Sequence, residues 1–126
     1  MAFVAAAPPE MAPAALVEHY RDYALTIRNA NVGMVRKRSI YLHRLFEFLD
    51  APPTAVALFA GLAPKTIGAF LADYAPRHGP GSRRDMHATL RAFLHFAYEE
   101  RFMAQDLSAL VPTVRQGAVA HLPRAL

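Results

Sequence analysis

Apolar residues recur at steps of three and four along most of the chain. From Ala14 to about Ala30 the set Leu16, Tyr20, Tyr23, Ala24 and Ile27 follows the period of an amphipathic helix. Asn29, Asn31 and Gly33 then supply residues that tolerate left-handed backbone angles, which predicts a turn. Between Met34 and Leu49, Val35, Leu42, Leu45, Phe46 and Leu49 form a second stripe, closed by Pro52-Pro53. Residues 54–60 add at most a short helical turn. Pro64 suits the first position of a third helix, with Ile67, Phe70, Leu71 and Tyr74 facing inward. This helix ends at Ala75-Pro76, because residues 76–81 hold two Pro and two Gly. Ser82 with Asp85 three residues on resembles a capping box, which starts a fourth helix at Ser82. Met86, Leu90, Phe93, Leu94 and Ala97 form its inner face as far as about Arg101, and a brief turn from Asp106 to Leu110 precedes Pro112.

No strand alternation and no solenoid repeat competes with this pattern, so the expected architecture is an all-α, four-helix bundle. Residues 1–13 are Ala/Pro-rich without periodic hydrophobics and read as an arm without fold. The helical domain spans 14–111, and residues 112–126 read as an extended linker. A length of 126 residues with 54% hydrophobic content suits one domain around one core.

Cysteine is absent, which removes disulfides, thiolate metal sites and cysteine nucleophiles. No apolar run approaches the roughly 20 residues of a membrane span, and Met1 to Ala7 lacks the basic flank of a signal peptide, so a cytoplasmic protein without membrane contact is expected. The net charge of +4 favours an anionic partner such as nucleic acid.

Placement of the basic residues sharpens this. Arg28, Arg36, Lys37, Arg38 and Arg44 lie in a stretch from Tyr23 to Phe46 that contains no acid. On the second helix Lys37, Tyr41 and Arg44 share one side, flanked by Arg36 and His43, away from the Leu42/Leu45/Leu49 stripe. Arg38 sits closer to that stripe, where its stem can pack while the guanidinium reaches outward. On the fourth helix Arg83, Arg84, His87 and Arg91 avoid the apolar face and meet only Asp85, with Ser82 beside them. Two such faces can straddle a DNA groove through phosphate contacts. The competing reading of each Arg is a solvated helix face.

The order of elements, with MVRKRSIYLHRLFEFL from Met34 to Leu49, PKTIGAFL from Pro64 to Leu71 and SRRDMHATLRAFLHFAYEERF from Ser82 to Phe102, resembles the N-terminal core-binding domain of the tyrosine recombinase (phage integrase) family. The closing HLPRAL, His121 to Leu126, resembles the linker into that family's catalytic domain. The resemblance covers about residues 14–126. It implies a SAM-like orthogonal bundle that forms half of a clamp on double-stranded recombination-site DNA, with its second and fourth helices facing the duplex. By position it carries DNA contacts onto Arg36, Lys37, His43, Ser82, Arg83, His87 and Arg91; Tyr41, Arg44 and Arg84 are added from charge and periodicity. It also implies that strand breakage and rejoining belong to a C-terminal catalytic domain outside this chain, so the chain is not an enzyme. Partners would be DNA, that catalytic domain and other copies assembled on the site. Met34 departs from the family's usual Thr, and Asp106-Leu107 from its common Asn-Pro.

Other chemistries are weakly represented. The histidines form no tight metal-binding pair, Gly79 and Gly81 do not follow a strand as a phosphate loop would, and His95 lies in an aromatic run typical of a packed histidine. No cofactor and no metal are expected. The rival functions are a helical protein-protein interaction module with a solvated basic face, and a standalone helix-turn-helix regulator. The latter is disfavoured by the long Pro/Gly-rich connection before the fourth helix.

Overall fold

The computed structural model describes residues 11–112. Of the arm assigned to 1–13, residues 1–10 lie outside the described residues, as do residues 113–126 of the linker assigned to 112–126. Among the described residues there are five α-helices and no strand: α1 (Pro13–Thr26), α2 (Val32–Phe48), α3 (Ala55–Ala60), α4 (Pro64–Tyr74) and α5 (Pro80–Glu99). Two 3-10 turns, Ala75–Arg77 and Leu107–Leu110, follow α4 and α5. No described helix is long and apolar enough to cross a membrane.

The extra helix relative to the expected four is α3. Its six residues, AVALFA, carry no polar face whose period could be read, but the Thr54 side chain accepts from Ala57 N and caps it. Ala55 N donates to the Met11 carbonyl at 2.7 Å, so the fold already begins at Met11, ahead of the expected boundary at residue 14. Asn31 caps α2 through Met34 N at 3.1 Å, two residues earlier than the stripe alone indicated.

The expected capping box at Ser82 is corrected. The N-cap of α5 is Gly79, without a side-chain bond, and Pro80 occupies the first turn. Proline has its φ preset for a helix and lacks the N–H that would otherwise go unpaired there, so the helix starts as soon as Pro80 permits. Ser82 is thereby inside the helix and its hydroxyl is used elsewhere. Residues with positive φ follow three helices: Asn29 after α1, Asp50 and Ala51 after α2, and Arg101 after α5.

The core is aromatic and centres on α5. Phe93 and Phe96 are fully buried, with Tyr20 of α1 at ring distances of 6.0 and 5.2 Å, Phe46 of α2 at 6.0 Å from Phe93, and Phe59 of α3 stacked on Phe93 at 5.7 Å. α1 and α2 thus pack against α5 and against each other. α4 is joined through Ile67 and Phe70, whose ring meets Phe48 of α2 at 5.3 Å. After α5 the chain folds back so that Leu107 and Val111 bury themselves against the core.

Among the described residues one carboxylate, that of Glu100, is buried with this core. Glu100, at the end of α5, bonds His19 Nε2 of α1 at 3.2 Å, and His19 packs on Phe96 and Phe102. Burial raises the Glu100 pKa more than the His19 bond lowers it. A carboxyl whose pKa is higher folded than unfolded supports folding fully below its unfolded pKa and loses that support as pH rises through the folded one. Glu100→Gln should therefore raise stability by on the order of 1 kcal/mol at neutral pH. Melting curves of both proteins should converge as pH falls below the unfolded carboxylate range; equal melting points at every pH would refute the effect.

Candidate nucleic-acid interface

The outward side of α2 carries Arg36, Lys37, His43 and Arg44, all exposed, around the exposed Ile40. Val35, Leu42, Leu45 and Phe46 occupy the opposite, buried side. Arg38 lies between the two. Its Nη1 donates to the Tyr20 hydroxyl at 3.0 Å while the residue stays half-buried, the edge position that its spacing predicts.

α2 and α5 are neighbours, and their polar faces meet directly. Lys37 Nζ pairs with Asp85 Oδ2 at 3.3 Å across the gap, with the lysine 61% and the aspartate 34% exposed. The groove below this pair is lined by Gly33, Met34 and Arg38 from α2 and by Ala88 and Thr89 from α5. Asp85, expected to serve the helix terminus, is thus a counter-charge between two basic helices. Exposed Arg84 lies one residue before it, and Arg91 two turns further along the same side of α5.

A second tie joins α2, α4 and α5. Arg44 Nη1 donates to the Tyr74 hydroxyl at 3.0 Å, and that hydroxyl shares a 2.7 Å hydrogen bond with Ser82 Oγ. The Arg44 guanidinium carbon also stands 5.3 Å from the centre of the Tyr41 ring. Tyr41 itself is buried, so its ring supports Arg44 and offers little surface of its own.

Several of the nominated residues hold the fold. Arg83 Nη1 donates to the carbonyls of Ala75 and His78, at 3.2 and 2.7 Å, and so clamps the α4–α5 connection. The Pro112 carbonyl accepts from His87 Nδ1 at 2.9 Å and from Arg91 Nη1 at 2.8 Å, which secures the returning chain to α5. A guanidinium has five N–H donors, so Arg91 retains donors for a further acceptor. His95 is half-buried and bonds Asp106 Oδ2 at 3.0 Å; Asp106 also caps the second 3-10 turn through Ser108 N. Partial burial opposes ionisation of Asp106, but the bonds from Ser108 and His95 prevail and hold its pKa below the ordinary value.

Among the nominated set, Arg36, Lys37, His43, Arg44 and Arg84 therefore present exposed side chains, and Lys37 and Arg44 lie on the side of α2 that meets α5 or α4. Ser82, Arg83, His87 and Arg91 are half-buried and already bonded within the protein, and Tyr41 is buried. Sequence reasoning passed over His78, which lies flat against Tyr74 at the corner before α5. It sits in a Pro/Gly-rich connection with no period, so no local signal marks it.

A groove elsewhere is apolar. Val56, Phe59, Phe102, Met103 and Leu107 line a space of about 600 Å³ between α3 and the end of α5, with Glu100 at its edge. No model of a known protein family, no curated protein and no solved structure matches this chain.

Proposed function

We propose that this chain is a double-stranded DNA-binding domain, a SAM-like, orthogonally packed core-binding domain of a tyrosine recombinase. It grips recombination-site DNA largely through phosphates, in the cytoplasm, and hands the duplex to a C-terminal catalytic domain, alongside other copies on the same site. The strand-exchange chemistry belongs to that partner domain and not to this chain.

The observation that carries the reading is the Lys37–Asp85 pair. The contact marks where the outer faces of α2 and α5 adjoin, so that exposed basic residues of both helices can reach one duplex, the arrangement a clamp requires. The resemblance of the three helical stretches supplies the family.

A salt titration tests it. Neutralising about four or five phosphates predicts that affinity for a duplex of about 20 base pairs falls about 10²- to 10³-fold between 50 and 200 mM salt. Fluorescence anisotropy measures this directly, and affinity indifferent to salt, or no binding at the lower concentration, refutes it. The rival reading as a protein-interaction module draws on the apolar groove between α3 and α5. It predicts no response to DNA at all.

A further inference from the structure

The corner between α4 and α5 holds a second group of cations. The His78 ring stacks on Tyr74 with centroids 3.7 Å apart and planes 13° from parallel. The Tyr74 hydroxyl is tied to Arg44 of α2 and Ser82 of α5, and the His78 carbonyl is held by Arg83, so side chain and backbone of His78 are both fixed from neighbouring helices. Beside the stack opens a cavity of about 360 Å³, walled by Arg44, Arg77, His78 and the rings of Phe48 and Phe70. Two acids, Glu47 and Asp73, border it, and Asp73 is already paired with Arg77.

We propose that this corner is a phosphodiester subsite, in which a DNA backbone phosphate lies between Arg44 and His78 and binding draws a proton onto the imidazole. The inference rests on the DNA-binding reading above and adds to Arg44, already part of that reading, a contact at His78, which is not.

The charges favour this occupant. Arg44 donates to a phenol rather than to a carboxylate, so its charge remains available to an anion. An arginine fork matches phosphate oxygens, and the Phe48 and Phe70 rings offer an apolar wall to the adjoining sugar. In the free protein, partial burial together with Arg44 and Arg77 holds the His78 pKa below its ordinary value, which keeps the ring neutral near pH 7. A phosphate reverses that field, since it offsets both guanidiniums and adds an anionic acceptor for the imidazolium. The groups facing His78 are Arg44 and Glu47 from α2, Asp73, Tyr74 and Arg77 on the α4 side, and Ser82 and Arg83 from α5. Because the pKa is higher in the complex than in the free protein, affinity gains a component that is present at low pH and fades as pH rises through the complex's pKa.

The test compares wild type and His78→Gln for binding the same duplex at one salt concentration from about pH 5.5 to 8.5, with the His78 ring followed by NMR in free and bound protein. His43 and His87 contribute equally to both proteins, so the difference isolates His78. The wild type should gain about tenfold more affinity than the variant over this range, the equivalent of a one-unit rise in pKa on binding. Near pH 8.5, with the imidazole neutral, the two should bind within about twofold of each other, and the NMR titration of His78 should move upward in the complex. A pH slope as steep in His78→Gln as in the wild type, or an unmoved His78 titration in a formed complex, overturns the subsite alone. No binding by either protein at any pH overturns the DNA reading and the subsite together.

Discussion

Combined replacement of Arg36→Glu, Lys37→Gln and Arg84→Glu should lower affinity for duplex DNA about 10²- to 10³-fold at moderate salt while leaving the melting point within a few degrees of the wild type. These three are chosen because each is exposed, whereas half-buried Arg83 and Arg91 hold neighbouring segments through backbone carbonyls. Reversing Arg83 would free the Ala75 and His78 carbonyls, and a loss of binding could then come from a loosened α4–α5 corner. Lys37 is replaced by a neutral residue because a second carboxylate beside Asp85 would push α2 and α5 apart. The opposite substitution in the same gap supplies the control. Asp85→Asn removes the acid that lies between the two basic faces and releases Lys37, so affinity should rise severalfold. Anisotropy titrations at fixed salt measure both effects, and the salt slope of the triple variant should be shallower by about three phosphates' worth. A triple variant that binds within twofold of wild type, or an Asp85→Asn protein that binds more weakly, would remove the shared α2/α5 surface from the account.

The helices legible in the sequence were those long enough to show a period. Met86, Leu90, Phe93, Leu94 and Ala97 are all buried on α5, and Val35, Leu42, Leu45 and Phe46 on α2, because one face of each helix must leave water and the 3.6-residue repeat records which one. Ile27 shows where that logic ends: it keeps the spacing of α1 but falls at the C-cap, where the helix stops, and is 47% exposed. α3 shows in the sequence only as a short helical turn over residues 54–60, because six small and apolar residues have no contrast between faces. Ser82 was misassigned because its capping tendency was weighed without Pro80, whose fixed φ starts the helix first.

The candidate site was legible in its charges and not in their attachments. Counting bases on α2 and α5 placed Lys37 and Arg84 on outer faces correctly, since avoiding the apolar stripe is a local property. Whether an arginine is available or already engaged depends on what the rest of the chain brings to it. Arg83 meets two carbonyls of the preceding turn, and Arg91 and His87 meet the Pro112 carbonyl from a segment more than twenty residues away. Tyr74 is the clearest case: a core aromatic by spacing, it also supplies the hydroxyl that joins Arg44 to Ser82, and so links two clusters that the sequence shows as separate.

Phe96→Ala should be the most damaging single substitution in the core, at a cost of about 3–5 kcal/mol. The ring is fully buried and is surrounded by Tyr23 at 5.0 Å, Tyr20 at 5.2 Å, His19 at 5.6 Å, Phe93 at 5.9 Å and Phe102 at 6.0 Å. These neighbours come from α1, α5 itself and the segment after α5, so collapse into the vacated space would require α1 to leave its seat on α2 as well. A domain of this size is stable by roughly 5–15 kcal/mol in total, and for it each kcal/mol lost moves the melting point by about 4–8 °C. The variant should melt roughly 15–30 °C below wild type, or fail to fold cooperatively if the parent lies at the lower bound. Phe48→Ala gives the contrast, because its ring is 39% exposed and borders the proposed phosphate corner; it should cost far less stability. Calorimetry of the two variants decides the matter: a Phe96→Ala protein that melts within about 5 °C of wild type would mean that α1 does not depend on this ring, and that α5 is not the centre of the core.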